Sequence, residues 1–155
     1  MLIRIIAVGQ KIAAWAEEAT RDYLARFPRE FKVELKEIRT EPRRGQPPAK
    51  LKEAEAERIL ESLEQTDFVV LLDEDGASRS TLDFARDVKL WKDERRDVVF
   101  IIGGPDGVAP NVKARADHVM KLSEMTLPHA LARVFLAEQL YRVYSILVGH
   151  PYHRG

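Results

Sequence analysis

The stretch "VVFIIGGPDGVAP", residues 98–110, decides how the rest of the chain is read. Its first five residues are apolar and mostly β-branched, the composition of a strand buried on both faces. The run then stops at Gly103, Gly104, Pro105, Asp106 and Gly107. A P-loop would need Lys followed by Ser or Thr after its last glycine, and Val108 and Ala109 stand there instead. The dinucleotide fingerprint needs Gly-x-Gly-x-x-Gly, whereas the spacing here is Gly-Gly-x-x-Gly. Two readings remain. One is a plain tight turn, with Pro105 fixing φ and Gly107 permitting a positive φ. The other is the floor of a ligand site, because ligands of open α/β sheets bind at the carboxyl ends of strands.

Two more strand ends carry turn chemistry, "LLDEDG" at 71–76 and "LSEMTLPH" at 122–129. Three such ends meeting in space make a pocket of exposed backbone N–H and C=O groups between apolar side chains, which suits a flat heterocycle.

Outward from that strand the periodicity alternates. Strands are expected over residues 2–9, 31–38, 67–73, 97–102 and 118–122, and helices over 11–27, 49–65, 80–95, 111–116 and 128–148. Pro28 closes the first helix, and Ser80 with Asp83 forms a weak capping-box signature. "TEPRRGQPP", residues 40–48, is a loop. In the charged second helix Glu55 and Arg58 form a favourable pair at i, i+3. Helices alternating with strands, two of which are near-continuous apolar runs, imply an α/β sheet covered on both faces.

At 155 residues the chain fits one domain with a sizeable core. It carries 25 basic and 25 acidic side chains, so a large basic field for gripping bare nucleic acid is excluded, though a local patch is not. There is no cysteine, hence no disulfide or thiolate metal site. The first nine residues lack the features of a signal peptide, and no apolar run approaches the ~20 residues that span a bilayer. A cytoplasmic location without membrane partners is the expectation.

The last helix is apolar nearly all round, so it is either central to the core or covered by a second subunit. Glu138 and Arg142 read as a surface pair at i, i+4. Arg133 has no acidic residue three or four positions away on either side, and reads as a solvated cation or one freed to meet a ligand. His129, His150 and His153, with Tyr152 and Arg154, are the remaining polar candidates. The tail "HPYHRG" ends the helix at Pro151 and reads either as a frayed terminus or as groups that stack on a base and contact phosphate. No carboxylate is interleaved among its histidines, so no metal site is expected.

Taken in order, "IIGGPDG", "LSEMTLPH", "RVFLAEQLYRVYSI" and "HPYHRG" strongly resemble the RlmH family, SPOUT-class methyltransferases of N3 of a pseudouridine in large-subunit ribosomal RNA. "AVG" at 7–9, "YLARFP" at 23–28, "LLDEDG" and "WKDERRDVVF" at 91–100 extend the resemblance over essentially the whole chain. Asp106 stands where Glu is common in the family, and Ala130 and Ala132 flank Leu131. The resemblance implies an α/β-knot fold: a single domain over 1–155, with a mostly parallel sheet, helices on both faces and a C-terminal trefoil knot. It further implies a homodimer acting on a 23S rRNA stem-loop in assembled ribosomes, with S-adenosylmethionine as cofactor and no metal. The family's cofactor contacts fall on Leu72, Gly103, Gly104, Leu122, Ser123, Glu124, Met125, Thr126 and Leu127, so the glycine turn becomes a cofactor floor whose bare backbone lets the ligand approach. The polar set around the target base falls on His129, Arg133, Arg142, Tyr152, His153 and Arg154, part of it contributed by the second subunit. A non-catalytic ribosome- or RNA-binding factor, or a nucleotide-binding regulatory module, would use a similar fold without affinity for S-adenosylmethionine.

Overall fold

The computed structural model describes every residue except Met1, Gln10, Glu41, Arg43, Arg44, Arg95 and Gly155. The expectations for the two loop arginines, for Arg95 as a helix end and for the last tail residue lie outside the described residues. Five strands, β1 (Leu2–Val8), β2 (Lys32–Ile38), β3 (Phe68–Ser78), β4 (Val98–Ile102) and β5 (His118–Lys121), alternate with five helices. The helices are α1 (Ala14–Leu24), α2 (Pro48–Glu61), α3 (Thr81–Asp93), α4 (Pro110–Arg115) and α5 (His129–Val148). The strands form one sheet in the order β2-β1-β4-β3-β5, and every pairing is parallel.

The period-2 pattern sorts the core into two halves, because successive side chains of a strand face opposite ways. Ile3, Ile5 and Ala7 of β1, Val98, Phe100 and Ile102 of β4 and Val70 of β3 face α3 and α5, with Leu24 of α1 packed against the same cluster. Ile6, Val8, Val69, Leu71, Val99 and Ile101 face the other way, onto Ala56 and Ile59 of α2 and Val112 of α4. All five residues of β4 are buried. At roughly 1.5–3 kcal/mol for each large apolar side chain, this central strand is what makes the two layers one fold. It also fixes where the 98–102 run must end.

Helix ends follow local chemistry. Ser80 Oγ accepts the Asp83 N–H at 3.1 Å, half of the expected capping box; Asp83 itself turns outward to Arg86. Pro48 and Pro110 stand within the first turns of α2 and α4, where their missing N–H costs nothing. Gly149 closes α5 with φ 76°, and the His150 N–H returns to the Ser145 carbonyl.

One expectation needs correction. The third strand does not end near Asp73: β3 runs on to Ser78, with its pairing to β5 shifted between Leu72 and Ala77. The residues between form a bulge, and Gly76 returns so close to β5 that a Cβ there would sit 2.6 Å from the Met120 backbone. In the second helix Glu55, beside Ala56, is 6% exposed and belongs to the interior, which its i, i+3 spacing to Arg58 does not indicate.

Candidate active site

Because the sheet is parallel, β3, β4 and β5 deliver their carboxyl ends to the same edge, and one cavity of about 530 Å³ lies there. Its walls are Leu72–Asp75 of β3, Ile102–Pro105 from the last residue of β4 onward, and Lys121–Leu127 except Glu124 from the last residue of β5 onward. His129 and Ala132 of α5 close it. That volume lies in the range of small-molecule sites, about 300–1,000 Å³. Three carboxylates, Asp73, Glu74 and Asp75, share one wall, and Leu72, Ile102, Leu122 and Leu127 supply apolar surface.

The glycine turn is a hydrogen-bonded β-turn: the Gly107 N–H donates to the Gly104 carbonyl at 3.0 Å, and Gly107 has φ 81°. The motif is thus a tight turn, and Gly103, Gly104, Pro105 and Gly107 also line the cavity. Two of its glycines also face close protein neighbours. A Cβ on Gly103 would meet Val108 Cγ1 at 2.7 Å, and one on Gly104 would meet Val8 Cγ1 at 3.2 Å and Glu55 Oε1 at 3.3 Å. Protein atoms thus leave no room for a side chain at Gly103 and little at Gly104.

Of the nine positions expected to hold a cofactor, Leu72, Gly103, Gly104, Leu122, Ser123, Met125, Thr126 and Leu127 line the cavity. Glu124 does not; its carboxylate turns to Lys121 at 2.8 Å, and that hydrogen bond holds its pKa below the ordinary carboxylate value. Ser123 Oγ accepts the Met125 N–H at 2.9 Å, which shapes the loop and leaves Met125 79% exposed at the mouth.

The six polar candidates separate into two groups at opposite ends of α5. His129 and Arg133 lie at its amino end. Arg133 is 1% exposed, which corrects the reading of a solvated cation. Its Nε–H donates to His129 Nε2 at 2.9 Å, its Nη1 to Glu37 Oε2 at 2.7 Å, and its Nη2 to the Gly9 carbonyl. His129 Nδ1 lies 2.9 Å from the Gly103 carbonyl oxygen. Burial, followed by the charge of Arg133, pushes the His129 pKa down.

At the other end, Arg142 is gripped by Glu138, with Nη2 to Oε2 at 2.8 Å, and stands over the Tyr152 ring at 5.1 Å. The tail is not frayed: residues Pro151–Arg154 form a 3-10 turn. Tyr152 packs edge-on against Tyr141 with centroids 4.7 Å apart. Its hydroxyl donates to Glu138 Oε2 at 3.1 Å and lies 3.0 Å from the Tyr23 hydroxyl. Burial first, then these two hydrogen bonds, raises the Tyr152 pKa, so the phenol is held neutral. His153 Nδ1 is 3.3 Å from Ser145 Oγ. Arg154 is exposed. The expected surface pair Glu138–Arg142 is in fact half-buried and forms the base of this cluster. Among the described residues no group of three potential metal ligands occurs, and no helix is long and apolar enough to cross a membrane.

Residue spacing gave no sign of Glu37 or Gly9. Glu37 reads as one more charge in an alternating strand, and Gly9 as the end of "AVG". Their roles depend on which strands become neighbours.

Over residues 1–153 the sequence matches the family described as "Predicted SPOUT methyltransferase". It is 48% identical over 155 residues to a protein of Methylibium petroleiphilum named "Ribosomal RNA large subunit methyltransferase H", with 99% of both chains covered. Proteins with the same name from Variovorax paradoxus and Acidovorax ebreus are 46% and 47% identical over 154 residues, again with 99% of each chain covered.

Proposed function

The chain belongs to the SPOUT methyltransferase family, and on that premise we propose that it methylates N3 of a pseudouridine in large-subunit ribosomal RNA, with S-adenosylmethionine as donor. The observation that carries this reading is the convergence of three strand ends on one cavity lined by eight of the nine expected cofactor positions. The residues fit such a donor on chemical grounds. Asp73, Glu74 and Asp75 complement a cationic ligand, and the leucines and Ile102 flank a flat ring and exclude water. When bound, the donor supplies an electrophilic methyl group on a sulfonium.

The work of the protein is to place an acceptor nitrogen in line with that methyl and to manage one proton. Holding both partners in one pocket makes the displacement effectively unimolecular. N3 of a pseudouridine is a weakly acidic imide and must lose its proton near the moment of attack, which a nearby base or cation assists. Arg142, Tyr152, His153 and Arg154 are the groups proposed to meet the base. Tyr152, held as a neutral phenol, orients by hydrogen bonding rather than accepting the proton.

Arg142 lies nine positions beyond Arg133, roughly 13 Å further along the helix at about 1.5 Å per residue. A homodimer in which one subunit's tail faces its partner's cavity would bring the two polar groups together. We read the chain as one such domain over 1–155, cytoplasmic and metal-free, with the ribosome as its substrate. Calorimetric titration with S-adenosylmethionine, ATP and NAD tests the cofactor, and only the first is expected to bind. Methyl incorporation into ribosomes lacking the modification tests the reaction, and light scattering the dimer. Absence of S-adenosylmethionine binding would leave a non-catalytic ribosome-binding factor as the reading.

A further inference from the structure

We propose that Glu37 and Arg133 are positioning residues for the cavity floor, acting through His129 on the Gly103 carbonyl. The inference rests on the reading of the cavity as the methyl donor's pocket. It starts from donor and acceptor counts. Arginine has only donors, so His129 Nε2, 2.9 Å from Arg133 Nε, accepts. The ring is then neutral, its proton sits on Nδ1, and Nδ1–H donates to the Gly103 oxygen at 2.9 Å. Both ring nitrogens are committed, and His129 is not available as the general base.

What fixes Arg133 lies outside the cavity. Glu37 on β2 supplies the carboxylate, and Gly9 at the end of β1 supplies a carbonyl. Gly9 has φ 120°, a conformation that residues with a side chain rarely adopt, while its N–H is spent on the Ile38 carbonyl. One arginine on α5 thus ties the ends of β1 and β2 to the end of β4.

The effect on the floor follows from peptide planarity. The Gly103 C=O and the Gly104 N–H belong to one plane and point in opposite directions. Fixing the carbonyl on His129 therefore fixes the direction of the Gly104 N–H, and both residues line the cavity. The charged groups around the ring are Arg133 on its own helix and Glu37 behind it on β2. Asp73, Glu74 and Asp75 from β3 and Lys121 from β5 stand on the cavity walls.

The test uses the full chain and three forms: wild type, Arg133→Met and Glu37→Gln. The ring tautomer and titration of His129 are followed by nitrogen NMR, and S-adenosylmethionine affinity by calorimetry across pH. In the wild type the Nδ1–H tautomer and an affinity level with pH are expected. Arg133→Met frees Nε2, so the ring gains a proton more readily and adds positive charge beside a cationic ligand. Affinity should then be about tenfold weaker near pH 5.5 than near pH 8. Glu37→Gln leaves the Arg133 charge uncompensated, so His129 should titrate lower than in the wild type. These opposite shifts are not what a merely structural role produces.

A wild-type ring protonated on Nε2, or a folded Arg133→Met protein with wild-type affinity and a level pH profile, overturns the proposal. Where Arg133→Met does not fold, the downward His129 shift in Glu37→Gln decides, and no shift there overturns it. Wild-type protein that does not bind S-adenosylmethionine defeats the pocket reading; the tautomer and the two opposite shifts still decide whether the chain of contacts positions the Gly103 carbonyl.

Discussion

The two ends of α5 each hold an arginine against a glutamate, and they do so in opposite ways. Arg133 meets a glutamate 96 positions away, on another element, and is sealed from water. Arg142 meets a glutamate one helical turn away and keeps about a quarter of its side chain exposed. The first pair exists only if the sheet has assembled. The second is local, rests on an aromatic cluster, and can exchange partners at small cost. A buried cation with distant partners is a structural anchor, whereas a partly exposed one with a local partner is available to a substrate.

The sharpest way to break this contrast is to neutralise each glutamate. Glu37→Gln strands a buried charge, and such losses run near the lower end of about 3–5 kcal/mol, given that Glu37 itself is partly exposed. Urea denaturation should report that loss, and equal loss from Glu138→Gln would erase the distinction drawn here.

Next comes the tail. Removing residues 152–155 strips the Tyr152 ring from Tyr141 and two hydroxyl contacts from Tyr23 and Glu138. A cost of about 2 kcal/mol is expected, read as a lower melting temperature. This reverses what composition suggests, a tail without structural weight, and an unchanged melting transition would restore that view. Glu138→Gln should cost below about 1 kcal/mol, as half-exposed helical pairs do.

The smallest effect is on pH. The folded His129 pKa lies below its ordinary 6.5, first through burial and then through Arg133. The unfolded chain therefore binds more protons in the window just below 6.5, and stability rises with pH there. The contribution is complete above that value and is lost as pH falls toward the folded pKa. Comparing melting temperatures of wild type and His129→Asn between about pH 5 and pH 7 isolates it; identical slopes would remove His129 as the cause.

Much of this architecture is legible in the chain. The apolar run 98–102 names the central strand, and the turn residues after it name the edge where the cavity forms. The eight lining positions follow from a resemblance rather than from periodicity. What stayed hidden has a common physical origin. Arg133 looks solvated because sequence neighbours at three and four positions offer no partner, yet its partner comes from another strand. The burial of Glu55 is not visible in its helical spacing, which says nothing about which face the sheet will cover. The bulge in β3 is not legible because Gly76 resembles a strand terminator, and its close approach to Met120 exists only once β5 has docked.

Strand β2 forms one outer border of the sheet, and its burial pattern alternates buried Val33 with exposed Lys32 and Glu34. Lys32 and Glu34, on one face of β2, pair with each other at 2.9 Å along that border. The chain has no net charge at neutral pH, so molecules approaching one another meet no overall repulsion. Protection against edge-to-edge stacking must then come from the border itself. A newcomer strand would have to desolvate a row of ammonium and carboxylate groups before gaining a backbone hydrogen bond, and the opposite border, β5, is only four residues long. The charged rim of β2 thus guards colloidal behaviour, and making it apolar would invite aggregation from an otherwise intact fold.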